Sequence, residues 1–134
     1  MNTTLFSENF SLEELTVTNT GLPNEPNKHE QEKLLYLANY ILQPIRKRWG
    51  RILINSGYRS IEVNKKIGGS LTSQHLEGEA ADIVPVNATI DVFFKWIVME
   101  SNIVFGQCIL EPAWIHISLV RIPPKKNQEA LSDV

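Results

Sequence analysis

Two short segments carry the residues best suited to chemistry. The first is SQHLEGEAAD, residues 73–82, in which His75 lies in a loop pattern and Asp82 lies inside an apolar strand pattern. A carboxylate in such a strand is costly to bury unless it is paired or binds a cation. Gly78 permits a sharp chain reversal that can return His75 to the side of Asp82. The segment indicates either two ligands of one zinc ion, or a buried Asp that caps a turn beside a surface His.

The second segment, WIHIS at residues 114–118, adds another histidine. Alternation along a strand places Trp114, His116 and Ser118 on one face and two isoleucines on the other, core-facing side. His116 is then either a solvated strand histidine or a further metal ligand. Together with His75 and Asp82 it makes a set of two imidazoles and one carboxylate. Three protein ligands with a fourth position left to water are typical of catalytic zinc, which lowers the pKa of that water to about 7.

The counts of cysteine and histidine limit the metal sites that the chain can build. Its single cysteine, Cys108, excludes an intrachain disulfide and a zinc site made of several thiolates. Cys108 lies in an apolar strand pattern and is expected to be an inert buried thiol. Of the three histidines, His29 falls at the polar start of a predicted helix and is expected to be solvated.

A catalytic zinc site also needs a proton acceptor, and three glutamates are candidates. Glu111 lies five residues before His116, at the turn entering the same strand. There its carboxylate can take a proton from water and pass it to the leaving amine. The alternative is an ordinary turn carboxylate. Glu77 and Glu79 compete for the role, but both are expected to point into solvent, so we favour Glu111.

Several neighbouring residues have side chains that can bind a substrate. Arg59 follows a predicted strand and matches the geometry of a carboxylate through two parallel hydrogen bonds. It therefore holds a substrate carboxylate or forms a surface salt bridge. Ser73 and Gln74 either orient His75 or hydrogen-bond substrate, and Trp114 is a further substrate-binding candidate. A serine hydrolase built on Ser118 is disfavoured because no nucleophile elbow surrounds that serine.

The elements that must position these residues follow from hydrophobic periodicity and capping signals. The pattern predicts helices at 12–17, 28–48, 60–67 and about 89–101, strands at 51–55, 80–84, 107–110 and 114–119, and an irregular loop at 71–79. Pro44 should kink or split the long second helix. Residues 111–113 join the last two strands tightly enough for a hairpin. Strands that come late and close together predict an α+β fold, a small antiparallel sheet with helices packed on it.

Length and charge bound the remaining possibilities. The chain has 134 residues, a length that predicts one domain over 1–134. Its 13 basic and 15 acidic side chains argue against the basic face that binds nucleic acid. Residues 123–134 are expected to be a flexible tail. No apolar run is long enough for a membrane span, and the N-terminus lacks a signal-peptide pattern. We therefore expect a protein made in the cytoplasm without a signal peptide, and infer no obligate protein partner.

The motifs together resemble a known family. SGYRS at 56–60, Asn64, GGS at 68–70, S-x-H-x-x-G-x-A-x-D at 73–82 and W-x-H-x-S at 114–118 are similar to the zinc D-alanyl-D-alanine carboxypeptidases. That group includes the L-alanyl-D-glutamate endopeptidases of phage lysins and shares its fold with the hedgehog signalling domain. The resemblance covers residues 42–119, and the small size is similar to that of the compact phage and prophage members.

The resemblance implies one zinc ion held by His75, Asp82 and His116, with Arg59 on a substrate carboxylate. It implies hydrolysis of peptidoglycan stem peptides, by a protein that acts on the wall after release or as a virion component. The family's acidic residue stands a variable few positions before the last histidine, and Glu111 is the only acidic residue there, with Pro112 affecting its aim. A catalytically silent zinc-binding module and a virion structural component with the same fold are the alternatives.

Overall fold

The computed structural model describes residues 4–120 of the chain, and the predicted tail at 123–134 lies outside this range. The elements, in chain order, are α1 (Leu12–Leu15), α2 (Lys28–Leu37), a π-helical segment (Ala38–Leu42), α3 (Gln43–Trp49), β1 (Ile52–Ser56), α4 (Ile61–Lys66), a 3₁₀ helix (Gln74–Glu77), β2 (Ala80–Pro85), α5 (Ile90–Met99), β3 (Cys108–Leu110) and β4 (Ile115–Ser118). None of the helices in the described range is long and apolar enough to cross a membrane.

The four strands form one sheet in the order β1-β2-β4-β3, and every neighbouring pair is antiparallel. Residues 111–114 connect β3 to β4, as the predicted hairpin requires, and the Glu111 N–H donates to the Trp114 carbonyl. An irregularity in β1 between Ile54 and Ser56 brings Ser56 opposite Asp82. This architecture confirms the predicted α+β class with a small antiparallel sheet.

One face of the sheet belongs to the hydrophobic core. Ile83, Ile115 and Ile117 are fully buried there and join one apolar cluster with residues of α2, α3 and α5. Burying a side chain of this size stabilises the fold by about 1.5–3 kcal/mol. The strand alternation predicted for Ile115 and Ile117 is therefore confirmed. The opposite face of the same strands carries His116 and Asp82, so the core holds the polar face in place.

The long second helix differs from a simple kink at Pro44. It divides into α2, the π-helical segment and α3, and the Gln43 N–H donates to the Ala38 carbonyl, five residues back. Pro44 has no N–H to continue the α-helical pattern, and it falls at the first turn of α3, where that N–H is not required. The wider turn before Pro44 thus lets the chain restart as α3.

Residues 71–79 are more ordered than predicted. The expectation of an irregular loop is wrong over Gln74–Glu77, which form a 3₁₀ helix. The Ser73 hydroxyl oxygen accepts a hydrogen bond from the His75 N–H at the start of this helix, and Gly78 ends it in the left-handed region at φ 75°. Short 3₁₀ turns have too few residues to show a hydrophobic period, which is why the sequence pattern missed this one.

Candidate metal centre

His75, Asp82 and His116 converge on one point. The His75 Nε2 and the His116 Nδ1 each lie 3.2 Å from the Asp82 Oδ1. Each of the three residues offers one ligand atom, and these atoms all lie within 4.8 Å of one another. His75 is 3% and Asp82 7% exposed, and His116 is half-buried. The cluster is therefore compact, largely withdrawn from water and open on the His116 side.

The backbone sets the protonation of His75. Its Nδ1 lies 2.7 Å from the Gly57 carbonyl oxygen, which can only accept, so Nδ1 must carry the proton and donate. In the neutral ring, Nε2 then keeps its lone pair and directs it at Asp82. Metal-binding histidines commonly have this arrangement, with the second ring nitrogen donating to a carbonyl or carboxylate. Gly78, in the left-handed conformation, reverses the chain between His75 and β2, so that His75 and Asp82 can lie side by side.

His116 is oriented by the sheet and by Gln74. Asp82 and His116 are direct partners across β2 and β4, so their side chains leave the same face of the sheet. The His116 Nε2 lies 3.4 Å from the Gln74 Oε1, and Gln74 is itself buried. With Nε2 donating to that oxygen, Nδ1 keeps the lone pair that faces Asp82. Gln74 thus contacts His116, whereas Ser73 contacts the His75 backbone.

Asp82 divides its two oxygens between different partners. Oδ1 faces both histidines, and Oδ2 lies 3.3 Å from the Arg59 Nη2. Burial raises the pKa of Asp82, but when protons rather than a metal occupy the facing nitrogens of His116 and His75, their hydrogen bonds and charge outweigh burial and hold that pKa well below its usual range. The Arg59 pKa is lowered by burial, an effect that Asp82 opposes. Asp82 is therefore an ionised carboxylate inside the fold.

Arg59 is not the exposed salt bridge that the sequence left as an alternative. Its side chain is 14% exposed, and its three nitrogens all have partners: Nε donates to the Ser56 Oγ at 3.1 Å, Nη1 to the Asn64 Oδ1 at 3.3 Å and Nη2 to Asp82. Nη1 and Nη2 each retain one further N–H, because a guanidinium carries five donors. Those two remaining donors can still meet an incoming carboxylate.

Glu111 lies two residue pairs along the β3–β4 ladder from His116. The bond from its N–H to Trp114 extends the β3–β4 ladder, in which Ile109 is opposite His116, and alternation gives Glu111 the same face as Ile109. The half-buried Trp114 shares that face. Within residues 4–120, no hydrogen bond or ion pair engages the Glu111 carboxylate. A carboxylate with these properties remains available for proton transfer.

The competing glutamates lie in different environments. Glu77 is exposed at the end of the 3₁₀ helix, as predicted. The prediction that Glu79 points into solvent is wrong, because Glu79 is 3% exposed and its carboxylate accepts a hydrogen bond from the Lys33 ammonium. The reason is that Glu79 precedes β2 on its core-facing side, next to α2, where a buried carboxylate needs a cation.

The remaining candidates fall outside the cluster. His29 is exposed on α2 beside Glu32, as predicted. Cys108 is fully buried, and burial raises its pKa to about 12. Ser118 is also fully buried, and its hydroxyl oxygen accepts a hydrogen bond from the Gln107 N–H at 2.9 Å. Because Ser118 is fully buried, its hydroxyl does not meet a substrate, which argues against a serine nucleophile.

The donor set fits a zinc ion. Two lone-pair nitrogens and one ionised carboxylate oxygen meet at separations that are unfavourable without a proton or a cation between them. Two imidazoles with one carboxylate are a common ligand set of catalytic zinc. The sequence identified all three cluster residues as candidate ligands but not the Gly57 carbonyl, Ser56 or the Asn64 side chain, which support the cluster from outside. The SGYRS and Asn64 motifs already marked these positions without indicating their contacts.

Comparisons with known proteins agree with this geometry. The model of the family described as Peptidase M15 matches residues 8–118, a range that contains every element from α1 to β4 and all three cluster residues. A search of curated proteins finds no match to the chain.

Proposed function

The chain belongs to the Peptidase M15 family, and on that premise we propose that it is a zinc-dependent peptidase of bacterial peptidoglycan stem peptides. The observation that carries the proposal is the convergence of His75, Asp82 and His116 inside a matched peptidase domain. The bond that it cleaves is proposed to be the D-alanyl-D-alanine bond, as in a carboxypeptidase, or the L-alanyl-D-glutamate bond, as in an endopeptidase. Both reactions add water across one amide bond.

His75, Asp82 and His116 would hold the zinc through Nε2, Oδ1 and Nδ1. When bound, zinc supplies a Lewis acid that polarises the scissile carbonyl and makes water more acidic. Neighbouring groups engage the other polar atoms of these three residues, so that the ligand atoms face one another. The Gly57 carbonyl fixes the His75 proton on Nδ1, Gln74 accepts from the His116 Nε2, and Arg59 occupies the second Asp82 oxygen.

Glu111 is the proposed general base and acid. Its carboxylate takes one proton from the attacking water as the oxygen bonds to the carbonyl carbon. It then gives that proton to the departing amine nitrogen as the C–N bond breaks, so the carboxylate returns to its starting form. The proposal is supported by the position of Glu111 on the His116 face and by its freedom from other partners in the described range.

Substrate positioning is assigned to Arg59, Ser73, Gln74 and Trp114. The two uncommitted N–H groups of Arg59 suit a substrate carboxylate, which a stem peptide supplies at its C-terminus or on a side chain. Trp114 adds an aromatic surface beside His116. The protein is proposed to be made in the cytoplasm and to act on the wall after release or as part of a virion.

Mass spectrometry of purified peptidoglycan after digestion tests the function and identifies the bond. We expect free alanine or a new peptide terminus with the zinc-loaded protein, and neither with His75→Ala or in the presence of a chelator. Equal product with and without that substitution would overturn the mechanism. A protein that binds zinc but releases no fragment from any wall preparation would favour a silent zinc-binding module, and one that binds no metal would favour a structural role.

A further inference from the structure

Asn64 is a buried amide that joins three separate parts of the site. It is 1% exposed and lies on α4. Its Nδ2 donates to the Ser70 carbonyl at 2.9 Å, and its backbone carbonyl accepts from the Gly69 N–H at 2.9 Å. Its Oδ1 accepts from the Arg59 Nη1 at 3.3 Å. Asn64 therefore ties the 68–70 turn to Arg59 without touching the three metal-cluster residues.

Arg59 carries this connection to the cluster. The guanidinium is planar and rigid, so fixing Nη1 and Nε fixes the position of Nη2 as well. Asn64 holds Nη1 and Ser56 holds Nε, and Nη2 then lies 3.3 Å from the Asp82 Oδ2. With Oδ2 engaged, Asp82 presents only Oδ1 to the two histidines. The position of Asn64 therefore bears on which carboxylate oxygen is offered to a metal.

Gly69 shows how tightly this arrangement is packed. A Cβ added at Gly69 would lie 2.1 Å from the Asn64 Oδ1 and 3.2 Å from the Arg59 Nη1. The short, buried Asn64 side chain has little freedom to retreat while keeping its bond to Ser70. Any side chain at position 69 must therefore displace the oxygen that holds Arg59.

We propose that Asn64 is a positioning residue of the metal centre: through Arg59 it orients Asp82 to bind zinc by Oδ1 alone. This inference rests on the proposed function only in taking zinc as the metal, and it assigns Asn64 no contact with substrate. It also assigns Arg59 a second task beside the substrate carboxylate, that of holding a metal ligand in place.

The test measures zinc affinity of the purified protein by competition with a chromophoric chelator, in the absence of substrate. Asn64→Leu keeps the approximate size of the side chain but removes both polar contacts. We expect it to weaken zinc binding about 10-fold, the lower end of the range for losing a direct partner of a metal ligand, because Asn64 acts through Arg59. Asn64→Asp keeps an oxygen facing Arg59 but sets its second oxygen against the Ser70 carbonyl, so it should bind zinc more tightly than Asn64→Leu and less tightly than the wild type.

Two further variants separate positioning from general loss of stability. Val63→Ala removes buried apolar atoms from the adjacent position of α4, where Val63 is 3% exposed, and leaves the Arg59 contact intact. Gly69→Ala displaces the Asn64 oxygen while keeping the Asn64 amide. Urea unfolding of the metal-free proteins gives the stability of each, and the visible spectrum of the cobalt-substituted proteins reports the ligand geometry.

The proposal predicts weaker zinc binding and an altered cobalt spectrum in Asn64→Leu and Gly69→Ala, and neither change in Val63→Ala. It is overturned if folded Asn64→Leu and Gly69→Ala bind zinc as the wild type does, or if Val63→Ala loses as much affinity. Because affinity is measured without substrate, this outcome is independent of which bond the protein cleaves, or whether it cleaves one. A wild-type protein that binds no zinc would instead reject the metal on which both proposals depend.

Discussion

Asp82 and His116 are direct partners across β2 and β4, and the Asp82 Oδ1 lies 3.2 Å from the His116 Nδ1. The sheet alone brings these two side chains together, since residues paired across antiparallel strands leave the same face. His75 reaches the same oxygen from a 3₁₀ helix whose end is defined by Gly78. A rigid sheet and a 3₁₀ helix ended by glycine thus bring the three candidate ligands together.

Removing either cluster histidine should abolish stoichiometric zinc binding. In His75→Ala and His116→Ala, only two of the three ligands remain, and both variants should lose zinc during dialysis. His29→Ala is the matched control, because His29 is exposed on α2 and distant in sequence from the cluster. Metal analysis of the dialysed proteins measures the effect. Retention of zinc by both cluster variants would place the metal elsewhere.

Glu111→Gln should separate metal binding from catalysis. The amide cannot accept and return a proton, so kcat should fall about 10²- to 10⁴-fold while zinc content stays that of the wild type. Initial rates on a defined stem peptide, together with metal analysis, provide the measurement. Glu77→Gln, at an exposed glutamate near His75, is the control and should retain activity. A larger loss in Glu77→Gln than in Glu111→Gln would transfer the role to Glu77.

Gly78→Ala should lower the free energy of unfolding through two effects, the left-handed backbone conformation at position 78 and a steric clash of the added Cβ. The left-handed φ of 75° costs a non-glycine residue roughly 1–2 kcal/mol. The added Cβ would also lie 2.6 Å from the Glu30 carbonyl oxygen. Gly68→Ala has nearly the same φ, 76°, but its Cβ meets nothing within 4 Å, so it isolates the conformational cost. Urea unfolding compares the two, and equal losses would contradict the packing of Gly78 against α2.

Cys108 should make stability fall as the pH rises into the alkaline range. Burial raises the pKa of its thiol from 9.0 to about 12, so the folded state keeps a proton that the unfolded state releases. The resulting stability is fully present below about pH 9 and is lost as the pH rises toward 12. The pKa of Tyr58 is also raised, so the informative quantity is the difference between the wild type and Cys108→Ala. If the free energies of unfolding of the wild type and Cys108→Ala fall equally as the pH rises, the thiol does not have a raised pKa.

Local patterns identified the three residues that the structure brings into one cluster, and the family resemblance named them as zinc ligands. The S-x-H-x-x-G-x-A-x-D spacing indicated His75 and Asp82, and strand alternation assigned His116 to the face opposite Ile115 and Ile117. The antiparallel sheet followed from four closely spaced strand patterns. These features depend on residues near one another in sequence, which is where periodicity and motif spacing carry information.

Contacts between distant segments were beyond such reasoning. The Lys33–Glu79 pair and the Arg59–Asp82 pair join residues that no local pattern relates, so Glu79 was expected in solvent and Arg59 on the surface or on substrate. The same holds for the hydrogen bond from His75 to the Gly57 carbonyl. The π-helical turn before Pro44 was missed because a proline predicts an interruption but not how the chain accommodates it.

The central claim is that zinc held by His75, Asp82 and His116 is required for peptide hydrolysis. The most direct test titrates zinc into the metal-free protein while following bound zinc and the release of fragments from purified peptidoglycan in the same samples. The account predicts that activity rises in proportion to bound zinc and reaches its plateau at one ion per chain. Full activity in the metal-free protein, or no activity at saturation with zinc, would contradict it.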